Sequence, residues 1–247
     1  MESVEFELMR HHEDTYWWYR GIRELATDAI RRYAKGSNLT LLDAGCGTGG
    51  QLAQLMGEDR IGRVTGLDFS MEAVRMAAER GLSGLVRGST MTLPFRNDTF
   101  DVVTSIDVLY IRGVDDRVAM SEMRRVTKLG GLIVVNVPAF EMLRGRHDAA
   151  VHTRHRYRKS EVSLLLREHG FEVLKLSYWN TTLFPVMMAK RTMERLSRKG
   201  APPASDMSDL PGPVNRILTA LMRVENRILL ATGMPFGGSV FAVGMRL

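Results

Sequence analysis

The residues best placed to do chemistry are two carboxylates set against glycines. Residues 41–50, LLDAGCGTGG, carry an apolar run into Asp43 and then into a turn containing Gly45, Gly47 and Gly49. Without Cβ atoms the backbone can turn sharply and lie against a ligand, and the helix that follows offers unpaired N–H groups at its start. The spacing is G-x-G-x-G, not the G-x-G-x-x-G of a pyrophosphate-binding turn, and Asp43 would repel a phosphate, so a dinucleotide is not the expected ligand. A second apolar run, residues 63–68, ends in Asp68 about twenty residues beyond the glycines, where a carboxylate can accept from ribose hydroxyls.

These residues need a sheet to present them. Short β-rich runs at 39–43, 63–68, 84–87, 101–105, 132–137, 172–177 and 239–245 alternate with helical patterns at 49–56, 70–80, 115–128 and 160–169. Alternation of this kind predicts a parallel α/β sheet. Ser70, Asp115 and Ser160 read as helix N-caps, and Gly81 and Gly170 as helix stops.

Five segments in order, LLDAGCGTG, GLDFS, LPF, FDVVTSIDVLY and RRVTKLGGLIVVNVP, resemble the motifs of class I S-adenosylmethionine-dependent methyltransferases over roughly residues 38 to 178. The resemblance implies a Rossmann-like, doubly wound, seven-stranded sheet whose last strand is antiparallel. It also implies an N-terminal helical cap over residues 1–37 and a core formed by 38–180 and 239–247. Where a short hairpin would suffice before the last strand, more than fifty residues intervene, so 181–238 reads as a helical insertion serving as a lid, a dimer contact or a membrane-facing patch. S-adenosylmethionine is the implied cofactor. Asp43 and the turn of Gly45, Cys46, Gly47 and Gly49 would receive its methionine portion, Asp68 its ribose and Phe69 its adenine, with Ser89, Thr90, Met91 and Ile106 completing the cleft. Two departures from the family stand out. Gly88-Ser89-Thr90 replaces the usual acid before LPF, and Tyr110-Ile111 stands where related proteins often have Glu-His.

A replacement base is expected beyond the fifth strand, where residues 140–161 carry His147, Asp148, His152, Arg154, His155, Arg156 and Tyr157. Histidine can take a proton near neutral pH, so His147 and His152 are the candidate bases, Asp148 their orienting partner and Tyr110 a further candidate. His155, Arg156 and Tyr157, together with Tyr16, Trp17 and Tyr19 from the N-terminal aromatic cluster, are expected to line the acceptor site. Arginines in the loop and the absence of cysteine there argue against a metal.

Charge is uneven along the chain. Residues 1–140 hold 17 Lys/Arg and 19 Asp/Glu, whereas residues 141–247 hold 17 and 9, so a basic excess of 8 lies in the second part. Inside the insertion, residues 213–230 place Val214, Ile217, Leu218, Leu221, Val224 and Ile228 on one helical stripe and Arg216, Thr219, Arg223, Asn226 and Arg227 on another. Packing against the core or a second subunit is the expected use of that stripe. The single cysteine excludes an intrachain disulfide, and no apolar run of 18 residues occurs, so a cytoplasmic protein is expected. The expected activity is methyl transfer to a small-molecule acceptor, a specialised metabolite or apolar compound, by a monomer or homodimer with weak membrane-surface contact and no nucleic-acid partner. The alternatives are an RNA or protein methyltransferase docking through its basic part, and a protein that only binds the cofactor.

Overall fold

The computed structural model describes residues 3–197 and 209–247. Seven strands, β1 (Leu39–Ala44), β2 (Ile61–Asp68), β3 (Leu85–Arg87), β4 (Phe100–Ile106), β5 (Thr127–Pro138), β6 (Phe171–Trp179) and β7 (Ser239–Arg246), form one sheet in the order β3-β2-β1-β4-β5-β7-β6. The first five pair in parallel, and β7 runs antiparallel between β5 and β6. The expected sheet is therefore present, and strand order reverses between β1 and β4. A switch point of this type opens a crevice beyond the carboxyl ends of the strands.

Helices α1 (Ser3–His12), α2 (Trp17–Tyr33), α3 (Gly50–Leu55), α4 (Met71–Ala78), α5 (Asp116–Val126), α6 (Arg146–Ala150), α7 (Lys159–Glu168), α8 (Phe184–Ser197) and α9 (Gly212–Ala231) surround the sheet, with a 3-10 turn at Glu141–Leu143. The strands read clearly in the sequence because their Val, Ile and Leu runs are buried on both faces. Ser70 accepts from Ala73 N and Asp115 from Arg117 N and Val118 N, as expected of caps. Ser160 is not a cap. Helix α7 begins one residue earlier, and Glu161 reaches back to Arg158 N at 2.6 Å. The connection read over residues 199–212 lies mostly outside the described residues.

Helix α9 turns most of its apolar stripe away from the core, keeping Leu221 packed on it and Leu218 half-buried. Met222, Leu229 and Leu230 are buried together with Thr219, Glu225 and Asn226, while Val214, Ile217, Val224 and Ile228 face outward. Polar bonds set this orientation. Asn226 Oδ1 accepts from the indole N–H of buried Trp179 (2.8 Å), and Asn226 Nδ2 donates to Gly21 O (2.8 Å) on α2. Glu225 accepts from Thr181 N and Thr182 N at 2.8 and 2.9 Å. Turning the apolar stripe inward would orphan these buried groups, at a cost of roughly 1–3 kcal/mol each, whereas scattered aliphatic exposure costs less.

Asn226→Ala should therefore lower stability by about 1–3 kcal/mol through the stranded Trp179 N–H and Gly21 carbonyl. Urea unfolding would show a lower midpoint at unchanged slope, and an unchanged midpoint would remove Asn226 as the pin of α9.

Candidate active site

Register places the acids side by side at the crevice. Asp43 of β1 lies level with Gly66 of β2 and Thr104 of β4, and Thr104 Oγ1 donates to Asp43 Oδ1 at 2.7 Å. Its carboxyl is buried, and burial pushes its pKa up to about 7, opposed by the Thr104 bond and assisted by the nearby Asp68 charge. The turn then folds back on β2, with Gly45 N and Cys46 N both donating to Leu67 O at 2.7 and 2.9 Å. Gly45 has φ +100°, and a Cβ there would stand 2.2 Å from Val108 Cγ2. No other residue fits this position. Cys46 is buried, and burial raises its thiol well above the usual value, so it packs and does not act as a nucleophile.

Asp68 accepts from Gly47 N at 2.9 Å and from Ser70 N at 2.8 Å, which bind the ends of β1 and β2 together. Each carboxylate oxygen keeps a second lone pair for a ligand. Burial raises the Asp68 pKa, and the two backbone donors work against that rise. Beside it Phe69 is 74% exposed, a flat apolar face with nothing of the chain upon it large enough to bury it. A nucleoside with a cationic tail fits this cradle, because the rings can cover Phe69, the sugar hydroxyls can meet Asp68, and a positive charge can offset the cost of ionising Asp43. Ile106 stands half-buried at the end of β4. Across the crevice, Ser89 Oγ accepts from Met91 N at 3.1 Å, Thr90 is buried, and Met91 Sδ accepts from Asp115 N at 3.2 Å. Met91 thus reaches the start of α5.

The roof comes from the chain's first helices. Helix α1 lies over the glycine turn, with Met9 Sδ 3.1 Å from where a Gly47 Cβ would stand. Buried Glu13 accepts from Thr48 Oγ1, from Arg80 and, at 3.1 Å, from Gly50 N at the start of α3, while Arg23 donates to its carbonyl. Glu13 went unnoticed in the sequence, where it is one acid among several. Its role depends on a partner 35 residues away. Tyr16 and Trp17 sit at the α1–α2 junction with their rings tilted at 39° and 5.7 Å apart, and Trp17 N donates to Asn215 of α9. Tyr19 reaches deeper. Its hydroxyl pKa is raised by burial first and then by the charges of Glu13 and Asp107.

Asp107 is a second candidate residue that sequence reasoning missed. It follows β4 in a left-handed conformation (φ 58°), and Asn136 Nδ2 donates to both of its oxygens at 3.1 and 3.3 Å. The carboxyl keeps some contact with the crevice but is crowded by protein, and this burial pushes its pKa up to about 7, against the Asn136 bonds and the Arg156 charge. The signal was present in FDVVTSIDVLY, in which Asp107 is the polar residue ending an apolar strand at the switch point. Tyr110 is buried close by, its pKa raised by burial and then by Asp107 and Tyr19.

The histidine loop differs from expectation. Asp148 is buried, accepts from Gly145 N at 2.8 Å and pairs with Arg156 Nη1 at 3.3 Å, so it anchors an arginine and does not orient an imidazole. Arg156 Nε also donates to Ala139 O at 3.0 Å, which ties the loop to the end of β5. His155 bridges Glu161 (2.9 Å) and Glu141 (3.5 Å), an exposed cluster unsuited to holding an acceptor. The Tyr157 hydroxyl is consumed by Asp116 Oδ2 at 2.5 Å. His147 and His152 are half-buried on the loop, and His152 takes φ 56°. From this loop the site gains the buried Arg156–Asp148 pair, whose charges act on Tyr110. Among the described residues, the His/Asp/Glu group whose ligand atoms approach within 4.8 Å is His11, His12 and Asp209, outside that loop.

The fold recurs among known proteins. Residues 42–135 match the family model of the methyltransferase domain. A demethylmenaquinone methyltransferase of Staphylococcus aureus is 41% identical over 101 residues, 38% of this chain and 40% of that protein, so the match spans less than half of the relative's length. Among solved structures, a Haloferax volcanii protein in complex with the Trm112 methyltransferase activator superposes with a TM-score of 0.63 at 22% identity, covering 98% of this chain and 94% of that one. The geranyl diphosphate C-methyltransferase of Streptomyces coelicolor A3(2), bound to S-adenosyl-L-homocysteine, gives 0.59 at 16%, covering 90% and 78%. Residues 42–135 therefore resemble a methyltransferase domain in sequence, and the chain shares the fold of these structures, for which S-adenosylmethionine is the cofactor to expect.

Because Asp43 titrates near 7 when the cleft holds no cation, a cationic ligand should bind more tightly as the group ionises. Calorimetric affinity for S-adenosylmethionine is expected to rise between about pH 6 and pH 8, and Asp43→Asn to flatten that rise. An unchanged pH profile in the variant would remove Asp43 from cofactor recognition.

Proposed function

We propose that this chain transfers a methyl group from S-adenosylmethionine to a small apolar acceptor bearing an ionisable nucleophile. The observation that carries the reading is Asp107, a carboxyl with a pKa near 7, held by Asn136 beside Tyr19 and Tyr110 at the switch point next to the glycine turn. The cofactor supplies an activated methyl on a sulfonium, so positioning accounts for most of the acceleration and a base is needed only when the nucleophile carries a proton. Asp107 in its ionised form can accept that proton while the nucleophile's lone pair bonds to the methyl carbon and the carbon–sulfur electrons return to sulfur. Arg156, anchored by Asp148, places a positive charge near Tyr110 that favours an acceptor with developing or existing negative charge.

An aromatic row beyond the end of β5 would suit an apolar acceptor body. Phe140, next to the Ala139 carbonyl that holds Arg156, stacks on Tyr178 at 4.7 Å, and Phe184 and Phe236 extend the aromatic surface at 5.9 and 5.3 Å. The names of the quinone- and geranyl-modifying proteins are consistent with an acceptor of this type, as is the sequence expectation of a small molecule. His147 and His152 become subsidiary, because Asp148 is engaged elsewhere.

Methyl-labelled cofactor incubated with a panel of hydroquinones, phenols and prenyl compounds should yield a labelled small molecule. Asp107→Asn should lower kcat by roughly 100-fold while cofactor affinity stays within about threefold. Label incorporated into RNA or protein in place of the panel would overturn the small-molecule reading.

A further inference from the structure

Helix α9 presents its apolar stripe to the outside. Ile217 is 67% and Val224 54% exposed, and Val214 and Ile228 continue the row, while hydrogen bonds from Asn226 and Glu225 prevent the helix from turning that row inward. Next to the stripe on the helical surface lie Arg216, Arg223 and Arg227. Arg223 is held by Glu24 at 2.7 and 2.8 Å, whereas Arg216 and Arg227 have no ion pair among the described residues. Helix α8 repeats the pattern, with Val186, Met193 and Leu196 exposed on a helix that also carries Lys190 and Arg195. No described helix is long and apolar enough to cross a membrane.

We propose that α9, assisted by α8, docks the protein on an anionic lipid surface, lying in the plane of the headgroups with its aliphatic row inserted and its arginines on lipid phosphates. A soluble-facing helix would carry the opposite pattern, and an outward apolar row with a basic rim is the arrangement that suits a charged interface. Charge complementarity favours lipid over a second copy, because residues 141–247 carry 17 basic and 9 acidic residues and copies of this basic half would repel. The docked helix also touches the roof of the cleft. Asn215 Oδ1 accepts from Trp17 N at 2.9 Å, and Asn215 Nδ2 donates to Thr15 O at 2.7 Å, so α9 holds the α1–α2 junction beside the crevice. Docking would place that junction near the surface from which an apolar acceptor would arrive. This last link rests on the small-molecule reading, whereas the docking itself does not.

Sedimentation of the full chain with phosphatidylcholine vesicles, with and without phosphatidylglycerol, tests binding independently of turnover. Wild type should bind the anionic vesicles at least about tenfold better, and high salt should weaken the binding. Ile217→Glu combined with Val224→Glu should reduce binding about tenfold or more at low salt, with an unchanged circular dichroism spectrum and unchanged cofactor affinity as evidence of folding. Arg216→Glu with Arg227→Glu should remove the preference for anionic lipid. Wild type that ignores both vesicles, or binding that survives the Ile217 and Val224 changes, would overturn the proposal. A concentration-dependent dimer that Ile217→Glu dissolves, without vesicle binding, would overturn it in favour of a second copy.

Discussion

Three carboxylates, Asp43, Asp68 and Asp107, stand at the ends of adjacent parallel strands, and burial raises the pKa of each. Three such groups in one crevice are electrostatically unfavourable until something positive joins them. The surrounding structure arranges partial compensation from Thr104, from the N–H groups of Gly47 and Ser70, and from Asn136, but among the described residues no side-chain cation pairs with Asp43 or Asp68. An S-adenosylmethionine molecule would bring a sulfonium and an ammonium to this location. The site and the proposed chemistry both rest on this unmet charge requirement.

The roof meets a different constraint. Glu13 is buried with Arg80 beside it and Arg23 on its carbonyl, and it accepts from the N–H that begins α3. A buried pair of this kind adds little net stability but is costly to break. It ties the end of α1 to the turn, where Met9 lies against Gly47, and Tyr19 on the following helix α2 lies near enough to Asp107 to feel its charge. The acceptor side is fixed in the same manner by Arg156, held through Asp148 and the Ala139 carbonyl.

The sheet was legible because apolar β-branched runs buried on both faces have few alternatives, and the glycine turn because positive φ at Gly45, Gly47 and Gly49 demands glycine. Local pattern could not reveal which of several acids a distant contact selects, which is why Glu13 and Asp107 were missed. At α9 the apolar periodicity left the core and a second subunit open as uses of the stripe, and Ile217 and Val224 face outward. The decisive partners of that helix, Trp179 and Gly21, are polar and remote in sequence. The histidine loop suggested a base through residue type alone, yet its carboxylate was already claimed by Arg156 two turns of chain away.

The most direct test is calorimetric titration of the full chain with S-adenosylmethionine, wild type against Asp68→Ala, with circular dichroism confirming that the variant folds. The carboxylate crevice predicts clear binding by wild type and a loss of about 100-fold or more in the variant, since two charge-assisted contacts to the ribose would go. A folded variant that binds as tightly as wild type, or a wild-type chain that does not bind the cofactor, would contradict the account.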